Sequence, residues 1–307
     1  MDVSKLMFRP GLLDGERILV TGGGTGLGRE MAEAFVALGA DVLICGRRKE
    51  VIEATARELT ARHGGKVEAY SCDIRDEDAI TRMMDEIWAT GPLTGLVNNA
   101  AGNFVSRTQD LSPRGFDAIA NTVMRGSFMV TLEAGKRWIA GELRGNVLSI
   151  LATFVWNGSP FTVPSAMSKA GINVMTQSLA VEWGRYGLRF NAICPGPFPT
   201  EGAWSRLSPG QQKPAIDPHV AANPMSRVGE MHELCNLAVM LMGPGADYIN
   251  GETIAIDGGA HLATPRSIRL SAWTDEQWER ARTAIRSTDA QDKAARNAEE
   301  KAVPEAD

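Results

Sequence analysis

An α/β fold, a doubly wound and mostly parallel seven-stranded sheet in a single domain, is predicted by three observations. The apolar run Ile18-Leu19-Val20 leads into Thr21-Gly22-Gly23-Gly24-Thr25-Gly26-Leu27-Gly28, a strand entering a glycine-rich turn that opens a helix. Short apolar runs then alternate with helical patterns, which is how a parallel sheet covered on both faces reads. Finally, 307 residues at 44% hydrophobic and 22% charged suffice for one large core.

In chain order, apolar runs place strands near 17–21, 41–46, 66–72, 95–98, 146–151, 188–194 and 253–257. Helical periodicity between them places helices at 26–38, 48–62, 76–89, 115–139, 165–185 and 230–242. In such a sheet, ligands bind at the carboxyl ends of the strands near the switch point. The domain is expected to span 1–262, followed by an extension over 263–286. There Trp273-Thr274-Asp275-Glu276-Gln277-Trp278 can cap and start a short amphipathic helix. Residues 287–307, rich in Ala and charge with little to bury, read as a mobile tail.

The net charge of -5 and pI near 5.6, without a basic stripe, argue against nucleic acid as a partner. Cys45, Cys72, Cys194 and Cys235 are far apart and mostly in or beside apolar runs, so buried reduced thiols are expected, with no disulfide. His63, His219, His232 and His261 are equally scattered, and no metal site is expected. No apolar stretch reaches membrane-spanning length and no targeting segment is evident, so a cytoplasmic enzyme without membrane attachment is expected.

Glycines spaced G-x-x-x-G-x-G let the backbone approach a pyrophosphate, which the positive end of the following helix stabilises. The expected cofactor contacts here are Thr21, Gly22, Gly24, Thr25, Gly26 and Leu27. Strand 41–46 ends in Arg47-Arg48 with no acid, a pattern that accommodates a 2′-phosphate and so favours NADP(H) over NAD(H). Asp73 is placed to accept from the adenine amino group, and Asn98-Asn99-Ala100-Ala101-Gly102 supplies small residues where the chain passes the cofactor.

With these motifs, residues 10–262 resemble the short-chain dehydrogenase/reductase family, whose sheet is Rossmann-like. The resemblance rests on Thr21-Gly-x-x-x-Gly-x-Gly, Asp73, Asn98-Asn-Ala-Ala-Gly, Lys169, Pro195-Gly196-Pro197 with Thr200, and Asp257-Gly258-Gly259. It implies cofactor contacts also at Asn99, Lys169, Pro195, Gly196, Pro197 and Phe198. The family's usual Tyr-x-x-x-Lys, serine and asparagine are replaced by Ser165-Ala-Met-Ser-Lys169, Ala152 and Val123. A carbonyl reductase needs the phenol to protonate an alkoxide, so ordinary alcohol chemistry is not expected.

Further segments are similar to the 2,4-dienoyl-CoA reductase branch: Asn98-Asn-Ala-Ala-Gly-Asn-Phe104, Leu111-Ser112-Pro113, Val163-Pro164-Ser165 and Gly202-Ala203-x-Ser205-Arg206-Leu207. That resemblance implies hydride transfer from NADPH to the diene terminus of an acyl-CoA and protonation of the dienolate next to the thioester. The charge on the thioester oxygen needs fixed donors, and Asn103 is the candidate, with Lys169 and Ser165 beside it. The resemblance also implies substrate contacts at Arg75, Phe104, Ser112, Phe154, Ser165 and Arg206, arginines suiting the CoA phosphates. Phe154 stands where some members carry a tyrosine, which leaves the second donor and the proton source unassigned.

Phe154, Trp156, Phe161 and Trp204 suggest an apolar cavity, whereas Arg125 reads as a surface or interface pairing and Ser165 could instead start a helix. Helices 115–139 and 165–185 are apolar enough to pack on a second subunit, as a homodimer or homotetramer. Reduction of another acyl-CoA or carbonyl compound, and silent NADP binding, remain alternatives.

Overall fold

The computed structural model describes residues 1–200, 218–221 and 223–302. Its seven strands are β1 (Arg17–Thr21), β2 (Asp41–Gly46), β3 (Val67–Ser71), β4 (Gly95–Asn98), β5 (Gly145–Ile150), β6 (Leu188–Pro195) and β7 (Thr253–Ile256). They form one sheet in the order β3-β2-β1-β4-β5-β6-β7, every pair parallel. The reversal of direction between β1 and β4 is the switch point expected of this topology.

Parallel strands need crossovers, and these are helical. They are α1 (Gly26–Ala37), α2 (Lys49–His63), α3 (Glu77–Thr90), α4 (Pro113–Ala120) continuing into α5 (Gly126–Ala140), α6 (Phe154–Asn157), α7 (Val163–Glu182), α8 (Pro218–Ala221) and α9 (Met231–Met242). Because successive strand side chains face opposite ways, Ile18 and Val20 join one core with Phe35, Leu59 and Val239, while Leu19 joins a second with Met84, Val130, Trp138 and Phe190. β1, β4 and β5 are buried along their whole length, so they carry apolar residues without alternation.

The helix expected over 115–139 is interrupted. Between α4 and α5 the backbone makes a π turn over Asn121–Arg125, keeping right-handed helical dihedrals on both sides. The wider turn places Val123 fully inside, against Ile119, Leu151, Ile172 and Cys194. Apolar periodicity does not reveal such a turn, because the pattern resumes after it.

The chain divides into Met1–His261 and Leu262–Asp307. The second unit holds α10 (Pro265–Ser271), begun by a Thr264–Ser267 capping box, and α11 (Asp275–Ala302). The sequence expectation of a short helix within the extension 263–286 is corrected: α11 has 28 residues and continues into the stretch read as a tail. Ala, Glu, Lys, Arg and Gln dominate it, and their propensity sustains a helix with little burial. No helix among the described residues is long and apolar enough to cross a membrane.

Trp138 is fully buried, donates its Nε1–H to the Leu93 carbonyl at 2.6 Å, and fills space that a side chain at Gly145 would occupy. Trp138→Ala is expected to lower the unfolding free energy by about 3–5 kcal/mol through the cavity it leaves. Urea unfolding of the two proteins measures this, and a loss under about 1 kcal/mol would contradict the packing described.

Candidate active site

The glycine turn is built by hydrogen bonds from the neighbouring strand. Thr21 Oγ1, at the end of β1, accepts the backbone N–H groups of Asn99 and Ala100, each at 3.0 Å, and donates to the Val97 carbonyl at 3.2 Å. The Asn99 amide returns the tie, donating to the carbonyls of Thr21 at 3.0 Å and Gly22 at 3.3 Å. Gly22 has φ +66°, and a Cβ at Gly28 would overlap both the Asn99 amide and the Gly22 carbonyl. Gly24 lies against Ile52, and Thr25 stands in extended conformation before α1 without capping it through its side chain. The first-turn N–H groups of α1, from Gly26 and Leu27 onward, could therefore receive an anion. Asn99, expected as a cofactor contact, spends its amide on holding the turn.

Arg47 and Arg48 follow β2, are exposed, and have no ion-pair partner among the described residues. Asp73 and Arg75, for which separate roles were expected, are brought together. The Arg75 guanidinium grips both Asp73 oxygens at 2.5–3.1 Å, with the Arg75 backbone N–H on one of them. The Arg75 hydrogen bond holds the Asp73 carboxyl below its ordinary pKa. Arg125 borders the same open hollow, donating to the Arg75 carbonyl and pairing with Glu77. It is the surface pairing expected.

Lys169, on α7, is 6% exposed, and its ammonium donates to the carbonyl of Ile150 at the end of β5. Burial lowers its pKa to about 8. Cys194, on β6, is also buried, and burial pushes its thiol up to about 12. Ser165, one turn before Lys169, is buried and makes no side-chain hydrogen bond among the described residues. Thr162, not Ser165, precedes the helix, so the serine is not its cap. Val123, where the family usually carries an asparagine, lies in an apolar cluster with Leu151, Ile172 and Cys194, against which Phe104 and Val155 pack.

Asn103 Oδ1 accepts the Phe104 N–H at 2.9 Å, which leaves the amide NH₂ as the end open to a ligand. Ser112 caps α4, its Oγ accepting from Gly115 at 3.1 Å. Phe154 begins α6, half-buried, while Trp156 and Phe161 are 46% and 57% exposed, forming a rim more than a cavity wall. After β6, Gly196 donates to the Ile256 carbonyl at 3.0 Å and abuts Asp257 too closely for a side chain, Pro197 accepts from Gly229, and Phe198 is buried on Gly229. Arg206 and Trp204 lie outside the described residues. The sequence reading passed over His261, which bonds to Asp257; the spacing of an acid and a histidine around Gly258-Gly259 was the available signal.

A family profile described as Enoyl-(Acyl carrier protein) reductase matches residues 22–261. A "probable 2,4-dienoyl-CoA reductase [(3E)-enoyl-CoA-producing]" of Caenorhabditis elegans is 41% identical over 293 residues, covering 94% of this chain and 95% of its own. A "probable 2,4-dienoyl-CoA reductase [(2E)-enoyl-CoA-producing]" of Bacillus subtilis is 36% identical over 252 residues, 81% of this chain and 98% of its own. Among solved structures, a gluconate 5-dehydrogenase of Burkholderia cenocepacia in complex with NADP and tartrate is 28% identical, with a TM-score of 0.77, covering 85% of this chain and 100% of its own.

Burial of Lys169 has a pH signature. The unfolded lysine keeps its proton up to about 10.5, whereas the folded one releases it near 8, so the unfolded state binds more protons between these values. Stability should therefore rise with pH across that window, the cost of the buried charge being fully present below it. Denaturant unfolding from pH 7 to 11 should show this rise relative to Lys169→Met; parallel curves would contradict it.

Proposed function

Because the chain belongs to the short-chain dehydrogenase/reductase family, we propose that it is an NADPH-dependent reductase of unsaturated acyl-CoA, most concretely a 2,4-dienoyl-CoA reductase. The observation that carries this reading is a polar–apolar division of the site. Lys169 is retained and buried, the open amide of Asn103 is present, and the positions of the missing phenol, hydroxyl and amide are Ser165, Ala152 and Val123. Such a site suits an acceptor that needs its oxygen stabilised as an anion but not protonated there.

The anion site at the glycine turn, with Thr21, Gly22, Gly24, Thr25, Gly26 and Leu27 around it, would hold the pyrophosphate, and Arg47 and Arg48 the 2′-phosphate. Asp73 would meet the adenine, while Pro195, Gly196, Pro197 and Phe198 would border the nicotinamide end. Bound there, the reduced nicotinamide supplies hydride. Lys169 would hold the adjacent ribose hydroxyls and lend positive potential. Asn103 would donate its amide N–H to the thioester oxygen as negative charge develops. Phe104, Ser165 and Phe154 would line the acyl end, and Arg75 and Arg206 would meet the CoA phosphates. Arg75 must exchange Asp73 for phosphate to do so.

Met124, Phe128, Met167 and Val174 are exposed apolar residues on or beside α5 and α7, which supports a homo-oligomer as the working form.

Absorbance loss at the NADPH band with 2,4-hexadienoyl-CoA tests the reading, with NADH and a 3-ketoacyl-CoA as controls. Turnover with the dienoyl ester and NADPH is expected; turnover confined to the ketoacyl ester would overturn it. Asn103→Ala should lower kcat by about 10²-fold, the usual loss of one oxyanion donor. Arg47→Ala should raise the Kd for NADPH far more than that for NADH by fluorescence titration, and equal effects would remove its role at the 2′-phosphate.

A further inference from the structure

We propose that His261 is the acid that protonates the carbon next to the thioester, held for that step by Asp257 and Trp156. The inference rests on the dienoyl-CoA reading and fills the place of the absent phenol. The chain has three tyrosines, and none stands at the site. Tyr70 lies on β3 bonded to Glu68, Tyr186 lies under Arg185, and Tyr248 is fully exposed at the opposite end of β7. Lys169 is committed to the Ile150 carbonyl, and the Cys194 thiol is too weak an acid.

Asp257 has a side chain only 3% exposed. Its Oδ1 accepts the Gly259 N–H at 2.9 Å, and its Oδ2 accepts the His261 backbone N–H at 2.7 Å and lies 2.8 Å from His261 Nδ1. These three contacts on one buried carboxylate fix the orientation of the ring. The other side of the imidazole meets Trp156, with ring centroids 4.9 Å apart and a tilt of 33°. Trp156 follows β5 and His261 follows β7, so their contact arches over the carboxyl end of β6, which lies between those strands. At the same carboxyl end are Gly196, pressed on Asp257, and the end of β5, where Lys169 reaches Ile150. The imidazole thus stands at the same end of the sheet as Lys169, and its 18% side-chain exposure leaves a route to water.

In the imidazolium form Nδ1–H goes to Asp257 and Nε2–H is the acid. Once hydride from the reduced nicotinamide has reached the diene terminus, the electron pair of the dienolate takes the Nε2 proton at the carbon next to the thioester and forms the C–H bond. The N–H bond breaks, the ring becomes the neutral Nδ1–H tautomer, and water restores the proton. Asp257 stays a carboxylate throughout, as an orienting group.

His261→Gln and His261→Ala test this. Both should bind NADPH as the unaltered protein does, yet reduce 2,4-hexadienoyl-CoA about 10²-fold more slowly. Added imidazoles should restore turnover of His261→Ala in proportion to their acidity, which a merely structural role would not produce. Without any cofactor, the nitrogen-15 NMR signal absent from His261→Gln should shift when the non-reducible hexanoyl-CoA is added. Full activity of His261→Gln, or a signal indifferent to hexanoyl-CoA, would overturn the proposal while leaving the dienoyl-CoA reading intact. An unaltered protein inactive on every unsaturated CoA ester would instead overturn that reading, and this role with it.

Discussion

The reciprocal tie between β1 and β4 is the interaction on which the rest of the site depends. One hydroxyl, Thr21 Oγ1, satisfies two backbone N–H groups beyond β4, and one amide, Asn99 Nδ2, satisfies two carbonyls at the glycine turn. Neither group can be removed without leaving partners unsatisfied in a largely buried place, which costs more than the net value of a hydrogen bond. The tie holds the turn against β4, so the N-terminus of α1 and the segment carrying Asn103 are set relative to each other. Gly22 and Gly28 are then required because the tie brings chain too close for a Cβ.

The second organising feature is the contrast between Lys169 and its surroundings. An ammonium in an apolar site is tolerated because it has a carbonyl partner, and burial makes it a stronger acid than a surface lysine. The positions where the family usually carries a serine hydroxyl and an asparagine amide hold Ala152 and Val123 instead. The positive potential is thereby concentrated on one group, screened little by water.

The sheet and its crossover helices were legible because periodicity and glycine placement act locally: each strand was located to within a residue or so. The glycine turn, Arg47, Arg48 and Lys169 were legible as motifs. The roles that depend on side chains meeting across the fold were not. Asp73 and Arg75 are two residues apart, yet nothing in the sequence says that they grip one another. Ser112 reads equally as a ligand contact or a helix cap, and the cap is what the hydrogen bonds display. His261 could not be weighted, because its importance comes from Trp156, a residue more than a hundred positions away that only the order of β5, β6 and β7 brings near.

The π turn at Asn121–Arg125 bears on how this helix tolerates change in length. A helix that accommodates one surplus residue can lose one without unwinding: excision there would restore regular winding and leave α4, with the cap at Ser112, facing as before relative to α5. The helix thus has one point at which a residue can be gained or lost while α4, α5 and the core around Trp138 all keep their register.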